Sequence, residues 1–297
     1  KSATFSPGAV RALQAIGADP GDFNGLDFLT PLINLEGKGH LDYAEGLEDF
    51  DSVAESVWRS RGINTDAMIN KYATAIIAYQ MPNGKFNVNY KDALKSGDAK
   101  WIEHICSNEM VAFTAQNVKA LGPHQDKEYI AKSVETALEY LSSMQLSDGS
   151  FPGMAGQPSG EATYAVLDMM NTLGISLNDE RFVKNGNTVA DGLRTFYVEG
   201  VGFINNPETN ISVNSISTDE LGLGGGISPL RTVSALTYLQ AAENGKFGPD
   251  GKGNSVFEIV GSTLTETPLG AILLAVIVAA LLALGMVRRY RRIKKEQ

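Results

Sequence analysis

The sequence predicts an all-α domain of paired helices followed by one C-terminal transmembrane helix. Three observations carry this. Residues 269–287 are wholly apolar, apolar residues recur at helical spacing over most of the preceding chain, and short turn phrases repeat between the helical segments. With the apolar run and the ten residues after it set aside, enough of the 297 residues remains for one large domain or two small ones with a real core.

Taken in chain order, the spacing predicts helices near residues 7–16, 23–34, 47–61, 66–80, 102–121, 129–144, 161–173, 181–197 and 229–243. The sixth shows the pattern best. Tyr129, Ile130, Val134, Ala137, Leu138, Leu141 and Met144 fall three and four apart and make one apolar face. Between helices two phrases alternate. The first places Gly before a capping residue: Gly17 then Asp19, Gly62 then Asn64 and Asp66, Gly122 then Asp126, Gly174 then Asn178 and Asp179. Glycine can end a helix in the left-handed region, and Asp, Asn or Thr can cap the next one. The second phrase is Gln80-Met81-Pro82-Asn83-Gly84-Lys85-Phe86 and Gln145-Leu146-Ser147-Asp148-Gly149-Ser150-Phe151, with looser copies at residues 199–203 and 244–247. Its Asn-Gly or Asp-Gly supplies a tight turn, and its Phe returns the chain to the core. A lone hairpin cannot bury its apolar face, so alternating turns predict hairpins stacked or arranged in a ring over residues 1–247.

Residues 248–268 then read as a linker, and residues 269–287 as the membrane span. At 1.5 Å per residue that run reaches about 28 Å, close to the hydrocarbon thickness. Six Lys or Arg come next, within residues 288–297, which predicts a cytoplasmic tail, an extracellular N-terminal domain and the lipid bilayer as partner. Such a topology predicts a signal peptide removed ahead of Lys1. An apolar run with a basic end is similar to a Gram-positive cell-wall sorting signal. That signal's Leu-Pro-x-Thr-Gly motif has no counterpart in Glu266-Thr267-Pro268-Leu269-Gly270, so a retained plasma-membrane anchor is expected.

The net charge of −9 conceals an asymmetry. The tail holds six basic residues and one Glu, so the rest of the chain carries −14, which disfavours nucleic acid as a partner. Cys106 is the single cysteine, which excludes an intrachain disulfide and a cysteine-rich metal site.

Gln145 to Phe151, followed by Glu161-Ala162-Thr163-Tyr164-Ala165 and Leu173-Gly174, resembles the repeat of the prenyltransferase and squalene-cyclase superfamily. The resemblance covers roughly residues 5–250 and implies an α/α toroid, incomplete here at about four and a half hairpins where the family has about six. Non-catalytic cobalamin carriers resembling transcobalamin share that toroid, so the resemblance also implies a corrinoid or another bulky small molecule as ligand.

Each chemistry of the superfamily meets a gap. The cyclases' Asp-x-Asp-Asp acid has only Asp49-Phe50-Asp51-Ser52 as its nearest counterpart, and acidic residues also favour a helix start. The zinc-binding prenyltransferases use Asp, Cys and His, but His104 and Cys106 stand two apart and point to different helix faces. Complement-type thioesters join Cys to a Gln three residues on, where this chain has Glu109 after Cys106. Polysaccharide lyases leave His40 with Tyr43, or His104 with Tyr129, as base and acid. No catalytic residue, metal or cofactor is predicted.

A binding cavity remains. In a toroid the inner-helix starts line one end of the ring, here expected near Asp49, His104, Glu161 and Arg231, with Trp58, Glu109 and Tyr164 within about two turns. The expected function is membrane-anchored display of a non-catalytic domain that binds a bulky small molecule or a surface glycan. The alternatives are an extracellular lyase-like or cyclase-like enzyme, or a structural spacer.

Overall fold

The computed structural model describes residues 5–6, 8–36, 39–198, 202–204 and 239. The expected helix at 229–243 apart from Leu239, the linker, the membrane span at 269–287 and the basic tail lie outside these residues. Among the described residues no helix is long and apolar enough to cross a membrane.

Described residues are mostly helical. The helices are α1 (Ala9–Ala15), α2 (Thr30–Ile33), α3 (His40–Asp51), α4 (Glu55–Ser60), α5 (Thr65–Ile77), α6 (Tyr90–Ser96), α7 (Ala99–Ser107), α8 (Val111–Leu121), α9 (Glu128–Met144), α10 (Gly160–Leu173) and α11 (Val189–Arg194). Two short antiparallel ribbons accompany them, β1 (Val183–Lys184) with β2 (Asn187–Thr188) and β3 (Tyr197–Val198) with β4 (Gly202–Phe203). The long helices form two rows. In one, α8 packs between α3 and α10; in the other, α5 backs α3, α9 backs α8 and α11 backs α10. Leu47, Phe50, Tyr72, Ile76, Val118, Leu121, Val134, Leu141, Val166 and Met170 fill the space between them.

Four expected helices differ from those observed. The helix expected at 47–61 is two, because side chains take the terminal carbonyls of α3: Ser52 Oγ donates to Asp49 O (2.7 Å) and Trp58 Nε1 to Phe50 O (3.0 Å). Helix α3 begins at His40, so Asp49 lies in its last turn and not at a helix start. The helix expected at 102–121 is also two, broken at residues 108–110, so His104 sits in the last turn of α7. Of residues 23–34 only the end is helical, since Asn24 and Gly25 take positive φ and fold Phe23 back onto Leu26. Of residues 181–197 only Val189–Arg194 is α-helical, because Asn185-Gly186 adopts positive φ at both positions and turns β1 into β2.

The two copies of the Gln-to-Phe phrase fold alike. Met81 N–H donates to Lys85 O (2.7 Å) and Leu146 N–H to Ser150 O (2.8 Å). Each Gln reaches back across its turn and onward to a later part of the chain: Gln80 Nε2 donates to Gly84 O and to Ser133 O of α9, and Gln145 Nε2 to Gly149 O and to Phe182 O just ahead of β1. Each Phe is fully buried and hangs its backbone N–H on a threonine of the following first-row helix, Phe86 on Thr114 (3.1 Å) and Phe151 on Thr163 (3.0 Å). The phrase thus ties each hairpin to the next.

The two copies lead into the next first-row helix by different routes. After Phe151 eight residues reach α10. After Phe86 the chain makes α6 and α7 before entering α8, with a small core of its own around Met81, Ala93 and Ile105.

Candidate functional site

Helices α8 and α10 are buried around most of their circumference, and each leaves one half-buried stripe. On α10 it is Glu161, Tyr164, Asp168 and Thr172; on α8 it is Ala112, Phe113, Gln116 and Lys119. These steps of three and four keep each stripe on one face. On α3 the half-buried positions include Leu41, Glu45 and Glu48. Lys119 joins the three helices, with Nζ 2.9 Å from Asp168 Oδ2 and 3.5 Å from Glu48 Oε2. The stripes therefore lie side by side.

Arg11 of α1 closes one end. Its guanidinium pairs with Glu45 (2.5 Å), Glu48 and Asp49 (2.8 Å), and the Asp49 side chain is only 1% exposed. Four carboxylates face two cations, so the cluster is acidic by two. Burial pushes Glu48 and Asp49 above the usual carboxylate range, although Lys119 and Arg11 oppose the rise. Burial works against the Lys119 ammonium, but Asp168 and Glu48 outweigh it and hold it charged.

Of the site residues expected from sequence, the structure brings Glu161 and Tyr164 together on the α10 stripe and Asp49 beneath its acidic end. Trp58 is elsewhere. It is 1% exposed, stacked on Phe50 with ring centroids 4.5 Å apart. His104 is exposed on α7, and Arg231 lies outside the described residues. Arg11, Glu45, Glu48, Gln116, Lys119 and Asp168 were not expected. Asp168 had a usable signal, since Glu161, Tyr164 and Asp168 are spaced three and four apart among mostly apolar neighbours on α10. Arg11 had none, because its partners lie more than thirty residues away.

No protein-family model, no curated protein and no solved structure matches the chain.

Glu109 occupies a second place. With Asn83, Lys85, Cys106, Glu139, Tyr140, Ser143 and Met144 it lines a cleft of about 390 Å³. Tyr140 Oη accepts from Met110 N–H (3.3 Å) and donates to Glu109 Oε2 (3.2 Å). Lys85 Nζ donates to the carbonyls of Ile105 (3.1 Å), Cys106 (2.8 Å) and Asn108 (2.8 Å), which spends all three of its hydrogens on the end of α7.

A third polar place lies between α3 and α8. His40 is fully buried, and its Nδ1 stands 2.6 Å from Asn117 Nδ2. The same amide nitrogen donates to Phe113 O, which fixes the amide's orientation and makes Nδ1 the acceptor. The ring proton is therefore on Nε2. Burial drives the His40 pKa down to about 4, against smaller opposing effects of Asn117 and Asp42, so the ring is neutral at pH 7.

Proposed function

We propose that this chain is a membrane-anchored cell-surface binding protein whose helical domain is an open α/α toroid, with the ligand held against the facing stripes of α3, α8 and α10. The observation that carries the reading is the junction at Lys119, which brings half-buried polar side chains of α3, α8 and α10 together at one place. Half-buried polar side chains grouped on neighbouring helices suit the few placed polar contacts that a small-molecule site uses. The two-row packing, and a turn phrase that ties each hairpin to the next, agree with the superfamily resemblance read from residues 145–174.

Chemistry narrows the ligand. Carboxylates at Glu45, Glu48, Glu161 and Asp168 accept hydrogen bonds, Lys119 donates, Gln116 does both, and Tyr164 offers an aromatic edge. This suits a bulky molecule rimmed by amides or hydroxyls, such as a corrinoid or a surface glycan. It does not suit an isoprenoid. The titratable residues expected to converge are dispersed among the stripe, the cleft and the exposed end of α7, which favours binding over catalysis. One observation favours an enzyme instead: Glu48 and Asp168 share Lys119 on the stripe, a titratable cluster of the kind that acid–base chemistry uses.

The test is a thermal-shift screen of the full chain in detergent against corrinoids, glycans and isoprenoids. A ligand present at about a hundredfold over its Kd stabilises by about 2.7 kcal/mol. The shift is expected with a corrinoid or a glycan and is lost in Tyr164→Ala and Gln116→Ala. No shift with any class sinks the binding reading and leaves a spacer. Consumption of the ligand, abolished in Glu48→Gln, replaces it with the enzyme.

A further inference from the structure

We propose that the cleft beside α7 is a second binding site, selective for a small alkylammonium such as a diamine. The cleft exists because of one difference between the two repeats. After Phe151 the chain passes straight to α10, whereas after Phe86 it inserts α6 and α7, and the end of α7 stands over the turn at residues 83–85 and the end of α9. At about 390 Å³ it falls within the range of small-molecule pockets.

Its lining is rich in acceptors. Glu109 and Glu139 both face it; among the described residues neither carboxylate makes a salt bridge, and Glu109 acts on the Lys85 ammonium only at longer range. The one cation in the wall, Lys85, has its three hydrogens on backbone carbonyls and none left for a ligand. Ser143 donates its hydroxyl hydrogen to Tyr140 O, so it meets the cleft as an acceptor. Tyr140 donates to Glu109 and likewise has no hydrogen to spare. Asn83 Oδ1 takes the Lys85 N–H, which leaves its amide NH₂ as the principal donor of the wall. A donor-rich ligand with positive charge completes such a wall, and an anion does not. Met144 supplies an adaptable apolar surface for the methylenes between charges. Among the described residues no three His, Cys, Asp or Glu are grouped to hold a metal ion, and the Met144 surface beside the carboxylates suits an organic cation.

Cationic groups of this kind come from free diamines or from lysine side chains. Isothermal titration of the full chain in detergent separates the two, with cadaverine and N-acetyl-lysine amide as probes and 1,5-pentanediol as the uncharged control. Cadaverine is expected to bind with a stoichiometry of about one, at least about tenfold more tightly than the diol, a difference of about 1.4 kcal/mol. Glu109→Gln keeps an acceptor for the Tyr140 hydroxyl and is expected to weaken cadaverine by about tenfold. Glu139→Gln at the exposed rim, where folding is not at stake, weakens it by a smaller factor. Binding of N-acetyl-lysine amide as tight as cadaverine's overturns the free-diamine assignment in favour of a protein lysine. Equal binding of the diol, multiple weak sites indifferent to both substitutions, or no saturable heat up to about 10 mM overturns the site altogether.

Discussion

Gly84 lies so close to the carbonyl of Thr136 that a Cβ on the glycine would stand 2.1 Å from that oxygen. Gly149 stands in the same relation to Thr188, at 2.2 Å, so one turn docks on α9 and the other just ahead of α11 in the same way. Both glycines also have positive φ, +91° and +88°. Gly84→Ala and Gly149→Ala are each expected to cost about 2–4 kcal/mol, from conformational strain plus a contact that only backbone movement relieves. Gly186 separates the two causes, because it has φ +82° but nothing within 4 Å of its Cβ position. Gly186→Ala should cost about 1 kcal/mol. Urea melts of the three variants decide; equal costs at all three positions would show that the close approach contributes nothing.

Those turns were legible in the sequence because their cause is local. Asn-Gly and Asp-Gly select the conformation, and the repeated Gln-to-Phe spacing announces that the same job is done twice. Helices α5, α9 and α10 were legible too, from their apolar periodicity, with a side-chain cap from Asn64 at the start of α5 and from Ser159 at the start of α10. The break between α7 and α8 was not, because the group that takes the α7 carbonyls is Lys85, some twenty residues earlier. The polar stripe was half legible for the same reason: Glu161 and Tyr164 share a helix, whereas Lys119 meets Glu48 and Asp168 only after three helices pack.

Acid should destabilise the fold through His40. Its pKa of about 4 in the fold lies below the ordinary 6.5, so between these values the unfolded chain takes up a proton that the folded chain does not. Stability contributed by the neutral ring is therefore full above pH 6.5 and is lost as pH falls toward 4, by about 3 kcal/mol in all. Glu48, Asp49 and Asp51, raised in the fold, act in the opposite sense, so the wild-type profile alone does not isolate the effect. The difference between wild type and His40→Gln does. Measured by urea unfolding at steps from pH 7 to 4, that difference should shrink with acidity; a constant difference means the ring is not buried in its neutral form.

Arg11→Met should be among the most damaging substitutions outside the apolar core. It leaves Asp49 buried without its guanidinium and removes one of two cations from a cluster already acidic by two. Orphaning a buried charge costs about 3–5 kcal/mol. Adding Asp49→Asn should restore a good part of the loss, because the uncompensated charge is then gone. A double-mutant cycle on urea unfolding measures the coupling. Strictly additive effects would mean that the two residues do not sense each other.

Lys85→Met tests whether the α6–α7 insertion is pinned by a single side chain. Met fills the methylene path of a residue that is 1% exposed but donates nothing, so three carbonyls at the end of α7 lose their partner. Hydrogen bonds from a charged donor are the stronger kind, and the loss should be about 2–4 kcal/mol. Most of it should be local, since α7 packs chiefly on α6 while α8 is held by α3, α9 and α10. Hydrogen exchange by mass spectrometry should therefore show faster exchange across residues 99–107 with little change in α8 or α10. Uniform acceleration along all three helices would mean that the insertion is part of the main cooperative unit, and unchanged exchange in α7 would mean that Lys85 does not hold it.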